Sequence, residues 1–346
     1  MTKDKYFMYR ALHLAKNGAG QTAPNPMVGA VLVFENRIIG EGWHQKFGTA
    51  HAEPNCINNV KTSDRHLISQ STLYVTLEPC SHYGKTPPCA NIIIEYKISK
   101  IVIACTDPNP QVAGKGITIL KEAGVEVQVG ILDEEAKALN KRFFTFHQKK
   151  RPFVILKWAE SLDGFIAPVN GQKVMLSNAL VQRFVHKMRS EEAAILVGYS
   201  TAILDNPSLT NRFFGVHQPL RITINQKETP FPENLNIIND GEKSLIFNIE
   251  KQGVEGNCTY VKLTNTQDYI RQIVDDLFQR GVDSLIVEGG SKTLQHFIQS
   301  GLWDEAFLIK TPVVLGQGVP APVLLEKVFE NCLTLKDNSI EKFRKR

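Results

Sequence analysis

The chain has 346 residues, of which 42% are hydrophobic and 22% charged, and a formal net charge of +5. That length suits two domains, and the composition is that of a globular protein with enough apolar material for a core in each. No Lys/Arg block interleaved with aromatics appears before the C-terminus, which argues against a nucleic-acid partner and for a small anionic one. No apolar run reaches membrane-spanning length, and the first residues lack the apolar core of a signal peptide.

In chain order, Tyr6 to Asn17 has helical spacing, with Phe7, Ala11, Leu14 and Ala15 on one face. Val28 to Phe34 and Arg37 to Gly42 read as a hairpin turned at Glu35-Asn36. A helix begins near His51, where Pro54 is tolerated because first-turn N–H groups have no partner within a helix. Thr72 to Leu77 is a buried strand that runs into Glu78-Pro79-Cys80, and Pro87-Pro88-Cys89 opens a helix through Tyr96. Lys100 to Cys105 and Val125 to Val129 are strands on either side of a helix over Gly116 to Ala123. This alternation predicts a helix–sheet–helix sandwich, with His51, Cys80 and Cys89 at strand-to-helix junctions, where open α/β sheets bind ligands.

Those three residues carry the chemistry. One imidazole and two thiolates are a zinc donor set that leaves a fourth position for water, whose pKa coordination lowers to roughly 7. His51-Ala52-Glu53 followed by Pro79-Cys80 matches the zinc-deaminase signature, in which the Glu shuttles protons and is not a ligand. The usual second half is Pro-Cys-x-x-Cys; here eight residues lie between Cys80 and Cys89. A purely structural Cys2His site is the competing reading, but it has no use for Glu53. Cys56, Cys105, Cys258 and Cys332 lack comparable spacing and read as core or incidental residues. Thiolate ligands suit a reducing compartment, so a cytoplasmic protein is expected.

Lys141-Arg142, Lys149-Lys150-Arg151 and Pro152 break the apolar pattern, placing a domain boundary between residues 1–148 and 149–346. Beyond it, strands are predicted over Phe153 to Ala159, Ala193 to Val197, Arg221 to Asn225, Ser244 to Asn248 and Ser284 to Val287. Helices are predicted over Asn178 to Arg189 and Gln267 to Arg280, giving a second α/β domain. The basic tail Lys342-Phe343-Arg344-Lys345-Arg346 reads as a solvated end. No G-x-G-x-x-G fingerprint opens this half. Glu288-Gly289-Gly290-Ser291-Lys292-Thr293 nevertheless joins a strand to a helix in the manner of a phosphate cradle. Arg189 and Arg212 can grip a phosphate bidentately if they converge.

Several segments resemble the bifunctional riboflavin-biosynthesis deaminase–reductase family. In the first half these are Pro24-Asn25-Pro26-Met27-Val28-Gly29, Gly42-Trp43-His44, His51-Ala52-Glu53, the run Thr76 to Cys89, and Asp107-Pro108-Asn109-Pro110-Gln111-Val112-Ala113-Gly114-Lys115-Gly116. In the second they are Lys157 with Ser161-Leu162-Asp163-Gly164, then Asp205-Asn206-Pro207-Ser208-Leu209-Thr210 and Val287-Glu288-Gly289-Gly290. The long Cys–Cys insert is a mark of this family among zinc deaminases.

The resemblance implies an α/β chain with an N-terminal cytidine-deaminase-like three-layer domain and a C-terminal dihydrofolate-reductase-like domain. It implies zinc on His51, Cys80 and Cys89, with Glu53 catalytic and with Asn25, His44 and Lys85 holding a phosphorylated diaminopyrimidine. It implies an NADPH-dependent reduction of the ribose chain. For that step Lys157, on a buried strand, is the candidate proton donor or polarising group and Glu288 its orienting partner, with a structural ion pair between strands as the competing reading. The resemblance assigns Lys173, Arg189, Leu209, Arg212 and Glu288 to substrate. It assigns Glu160, Met175, Thr201 and Asp205 to cofactor, beside the cradle Gly289, Gly290, Ser291, Lys292 and Thr293. A homo-oligomer, dimer or tetramer, is expected, with neither nucleic acid nor membrane as partner. Two departures from the family pattern stand out: Met175 takes the place of a Trp, and Asn225-Gln226 the place of a common Asp-Ser. A base deaminase acting on transfer RNA would share the zinc signature but gives residues 150–346 no role.

Overall fold

The computed structural model describes all residues except 84–86, 111, 170–172, 216, 228–230 and 265–266. The chain divides into two compact units, Met1–Lys150 and Arg151–Arg346.

In the first unit, α1 (Lys3–Ala15) is capped by the Thr2 hydroxyl, which accepts the Lys5 N–H. β1 (Gly29–Phe34) and β2 (Arg37–Trp43) form the expected antiparallel hairpin, turned through Glu35 at φ 55°. Then come α2 (Ala52–Asn58), β3 (Thr72–Val75), α3 (Cys89–Glu95), β4 (Lys100–Ile103), α4 (Lys115–Glu122) and β5 (Glu126–Val129). The helices α5 (Asp133–Leu139) and α6 (Lys141–Lys149) close the unit. The sheet order is β2-β1-β3-β4-β5, with β3, β4 and β5 parallel.

Strand side chains alternate between faces, so the two faces bury different sets. Leu32, Leu73, Val75, Ile101 and Ile103 pack with Ile57, Ile93 and Leu120 of α2, α3 and α4. Val31, Val33, Tyr74 and Val102 pack on the opposite face with Phe7, Met8, Ala136, Phe143 and Phe144. The result is three layers. The charged run at 141–149, read from sequence as a break in the pattern, is a helix because Phe143 and Phe144 are buried in that second cluster.

The second unit opens with β6 (Phe153–Glu160) and β7 (Phe165–Pro168). It continues through α7 (Ala179–Glu191), β8 (Ala194–Gly198), α8 (Tyr199–Asp205), β9 (Leu220–Asn225) and α9 (Asn236–Asn239). Next are β10 (Ser244–Asn248), β11 (Gly253–Glu255), β12 (Cys258–Lys262), α10 (Tyr269–Gln279), β13 (Ser284–Val287) and α11 (Ser291–Gln299). It ends with β14 (Glu305–Lys310), β15 (Gly318–Pro320), β16 (Lys327–Leu335) and β17 (Asn338–Lys345). The large sheet has the order β11-β12-β10-β9-β8-β13-β6-β14-β17-β16. From β12 to β14 its strands are parallel, so their carboxyl ends share one edge.

Two basic segments are built into the fold. Arg151 is not a linker charge: it is buried and forms a bidentate pair with Asp304 at 2.5 and 2.7 Å, beside the start of β6. The basic tail is not a solvated end. β17 lies between β14 and β16, with Ile340 and Phe343 buried and Lys342 paired to Glu305 and Glu330 at 3.0 and 2.8 Å. Its charges find partners on both neighbouring strands, which the composition of the tail alone does not reveal.

Candidate active sites

The first site lies where β2, β3 and α3 meet α2. The Asn55 side chain, on α2, donates to Trp43 O and Ala50 O, fixing the loop that delivers His51. Pro88 precedes α3, so Cys89 begins that helix facing Cys80, whose sulfur accepts the Cys89 N–H at 3.3 Å. His51 Nδ1 is 3.5 Å from Cys80 Sγ and 3.4 Å from Cys89 Sγ, and the three donor atoms all lie within 4.8 Å of one another. A zinc tetrahedron with Zn–N of about 2.0–2.1 Å and Zn–S of about 2.3 Å places adjacent N and S about 3.5 Å apart. The donor set fits zinc in both chemistry and spacing.

Glu53 sits on the first turn of α2, buried, with its carboxyl against Cys89. Burial, reinforced by the Cys80 thiolate, pushes the carboxyl up to about 6. The hydrogen bond from Cys89, helped by His51, brings Cys80 down to about 4, while Cys89 is held well up by its contact with Cys80.

His44 packs edge-on against His51, with ring centroids 5.2 Å apart. Burial lowers its pKa, so the ring is neutral. Nδ1–H then donates to Ala50 O at 3.1 Å, leaving Nε2 to accept from Asn25 Nδ2 at 3.3 Å. Asn25 and His44 are thus brought together beside the triad. Lys85 lies outside the described residues.

Glu78 is a residue that sequence reasoning passed over. Its buried carboxylate accepts the N–H groups of Asp107, Gly114, Gly116 and Ile117 at 3.0–3.3 Å. A Cβ at Gly116 would run into Pro79 O, so the first turn of α4 lies directly on Pro79. An acidic residue ending an apolar strand, immediately before Pro-Cys, was the available signal.

The second site lies at the shared carboxyl edge of the parallel strands, where ligand crevices of α/β sheets form. Glu288, just past β13, holds Arg189 by two bonds, Oε1 to Nε at 3.0 Å and Oε2 to Nη2 at 2.7 Å. Burial would raise this carboxyl, but Arg189 and then Lys157 overcome it and bring it to about 2. Lys157 Nζ is 3.5 Å from Glu288 Oε2, a looser contact. Arg212 Nη2 lies 3.2 Å from His186 Nε2, and burial first, then the charges of Arg189 and Arg212, brings the His186 pKa down to about 4. His186 was not among the candidates, although it precedes Arg189 by three residues on α7, one helical turn away.

Gly289 has φ 147°, a conformation that favours glycine, and its carbonyl accepts the Gly198 N–H at 3.0 Å. Thr201 Oγ1 would lie 3.2 Å from a Cβ on Gly290, so the ends of β8 and β13 pinch together around bare backbone. Ser291 and Lys292 open α11, while Thr293 turns inward and packs on Gly198. Lys173 Nζ donates to Asp205 O at 2.9 Å.

The remaining candidates make other contacts, although Leu209 adjoins Thr210, whose carbonyl accepts from Arg189 Nη1 at 3.3 Å. Met175 is exposed, and its sulfur accepts from Gln182. Glu160 accepts the Trp158 indole N–H at 3.1 Å. The Leu209 side chain belongs to the core beside Phe153 and Val197, leaving its backbone, at φ 56°, as the part open to other contacts.

Residues 1–105 match the zinc-binding region of cytidine and deoxycytidylate deaminases, and residues 152–346 match the RibD C-terminal domain. A riboflavin biosynthesis protein RibD from Aquifex aeolicus is 37% identical over 98% of this chain and 95% of its own length. The chain belongs to the RibD family. RibD of Bacillus amyloliquefaciens is 40% identical over 93% of this chain and 88% of its own. A solved RibD-family structure from Thermotoga maritima, described as a diaminohydroxyphosphoribosylaminopyrimidine deaminase/5-amino-6-(5-phosphoribosylamino)uracil reductase, has 34% identity. It superposes with a TM-score of 0.91, covering 99% of both chains. RibD from Acinetobacter baumannii gives 0.91 at 31% identity, covering 99% of this chain and 98% of its own. Membership in the RibD family makes this a riboflavin-biosynthesis enzyme with a zinc-binding deaminase domain ahead of an NADPH-using reductase domain. Among the described residues no helix is long and apolar enough to cross a membrane.

Proposed function

We propose that the chain performs two successive reactions on one phosphorylated pyrimidine. Residues 1–148 would hydrolytically deaminate 2,5-diamino-6-(5-phosphoribosylamino)pyrimidin-4(3H)-one, and residues 149–346 would reduce the ribosyl side chain of the product to ribityl. The observation that carries this reading is the juxtaposition of a buried carboxyl, Glu53, with a three-donor metal site and the Asn25–His44 pair.

His51, Cys80 and Cys89 would hold zinc, which when bound would lower the pKa of coordinated water to about 7. Glu53 takes a proton from the attacking water and delivers it to the amine that leaves as ammonia. A buried carboxyl beside the metal donors is placed to serve both roles. Asn25 and His44 offer amide and imidazole edges to the base.

In the second half, NADPH when bound supplies the hydride for the sugar C1′. Lys157 donates the accompanying proton to the heteroatom. Arg189 already satisfies both oxygens of Glu288, so the more loosely held Lys157 ammonium retains N–H groups for substrate. Arg212 binds the substrate, and the Gly289–Gly290 backbone with Thr201, Ser291 and Lys292 receives the cofactor's phosphates.

The exposed Phe329 and Leu333 on β16, the edge of the large sheet, support a homo-oligomer. The modest net charge argues against a nucleic-acid partner, and thiolate ligands suit the cytoplasm. The test is to incubate the protein with the diaminopyrimidine phosphate, with and without NADPH. Ammonia release in both reactions, with NADPH consumed in the second, is expected. Ammonia release without NADPH consumption would remove the second activity.

A further inference from the structure

We infer that His186 is a further substrate-positioning residue of the reductase site, its ring Nε2–H joining the Arg212 guanidinium to grip the phosphate of the substrate. The inference rests on the proposed reductase reading and adds a residue and a ligand group to it.

The His186 ring is buried on α7, with the edge of Phe213 against it at 4.6 Å between centroids. Its Nδ1 accepts the backbone N–H of Arg212 at 3.2 Å. A neutral imidazole has one acceptor and one donor nitrogen, so Nε2 carries the proton. Burial together with the charges of Arg189 and Arg212 disfavours a second ring proton, in agreement with this assignment. Yet Nε2 lies 3.2 Å from Arg212 Nη2, and a guanidinium nitrogen can only donate.

Two donors at that distance do not bond to each other; they are arranged to share an acceptor. Among the described residues Arg212 has no carboxylate partner. Glu288, the carboxylate whose charge reaches His186, is held bidentately by Arg189. Lys157, Arg189 and Arg212 against Glu288 leave the cluster with an excess of positive charge. The missing acceptor is therefore an anion, and a phosphomonoester offers several oxygens on one centre for two converging donors. The proposed substrate carries one such group.

The test uses the full chain, NADPH, and the deaminated substrate with and without its 5′-phosphate. His186→Asn places an amide oxygen where Nδ1 accepts the Arg212 N–H but has no donor at the Nε2 position. His186→Gln can bring an amide N–H to that position. A charge-assisted hydrogen bond is worth roughly a tenfold effect or more. The advantage in kcat/KM conferred by the phosphate should therefore fall about tenfold in His186→Asn, mostly through KM, and be largely kept in His186→Gln. NADPH titration by fluorescence checks that each variant is folded.

Equal losses with both substrates in His186→Asn would show a merely structural histidine and overturn the inference, while the parent's turnover upholds the reductase reading. A parent indifferent to the phosphate would overturn the inference alone, whereas a parent that turns over neither substrate would overturn the reductase reading as well. A measurement on the parent alone adds a second arm, in which inorganic phosphate should shift the His186 Nε2–H resonance. A resonance unmoved at saturating phosphate would overturn the inference even if the variants fail to fold.

Discussion

Glu53 follows His51 by two residues, yet the two side chains have different tasks: the imidazole reaches the sulfurs, and the carboxyl is buried against Cys89. In Glu53→Gln the donors His51, Cys80 and Cys89 are untouched, so zinc content should stay near one per chain. Deaminase activity should fall by roughly 10²–10⁴, the range expected for a positioned proton carrier. Zinc measured by mass spectrometry together with ammonia release checks this, and zinc lost along with activity would make Glu53 a ligand. Lys157→Met removes the proposed proton donor without disturbing the Arg189–Glu288 pair. NADPH oxidation should become undetectable, with ammonia release within a few-fold of the parent; near-parental oxidation with unchanged cofactor affinity would exclude Lys157. The metal site was legible in the sequence because ligand chemistry restricts residue type and order. His186 was not, because its role depends on a backbone N–H contributed from a distant loop, which no local spacing reports.

Among the elements, short polar connections carry as much of the architecture as the strands do. The loop before α4 and the first turn of α4 have their N–H groups collected by one carboxylate, Glu78, just past β3. Glu78→Ala leaves those donors buried and unpaired, at a cost of about 3–5 kcal/mol. The first unit should unfold at lower denaturant and bind zinc more weakly, and Glu78→Gln, which keeps one acceptor oxygen, should lose less. Unchanged unfolding of the zinc-loaded protein in Glu78→Ala would mean that water or a rearranged loop replaces the carboxylate. Continuous apolar runs made β1, β6, β8 and β13 readable. The same rule failed for β17, where Lys342 and Arg344 stand in the strand and their partners Glu305 and Glu330 lie on neighbouring strands. Ending the chain at Leu335 would strip β14 and β16 of their shared neighbour. The second unit should then lose cooperative unfolding, as followed by circular dichroism, while zinc binding persists in the first.

At the scale of the whole molecule, the metal donors all come from Met1–Lys150 and the Lys157–Glu288–Arg189 cluster from Arg151–Arg346. Each unit has its own sheet and its own buried clusters on the faces of that sheet. Neither chemistry draws a residue of the described sites from the other unit, so the two activities should be separable by metal removal. A chelator strong enough to strip zinc should abolish ammonia release while NADPH oxidation with the already deaminated substrate proceeds at the parental rate. Re-adding zinc should restore the first activity. A chain ending at Lys150 should bind about one zinc and deaminate alone, because its three layers are complete without the rest. Parallel loss of both activities on mild chelation, with the loss of NADPH oxidation reversed by zinc, would show that the second site depends on the metal and would contradict the division into two independent centres.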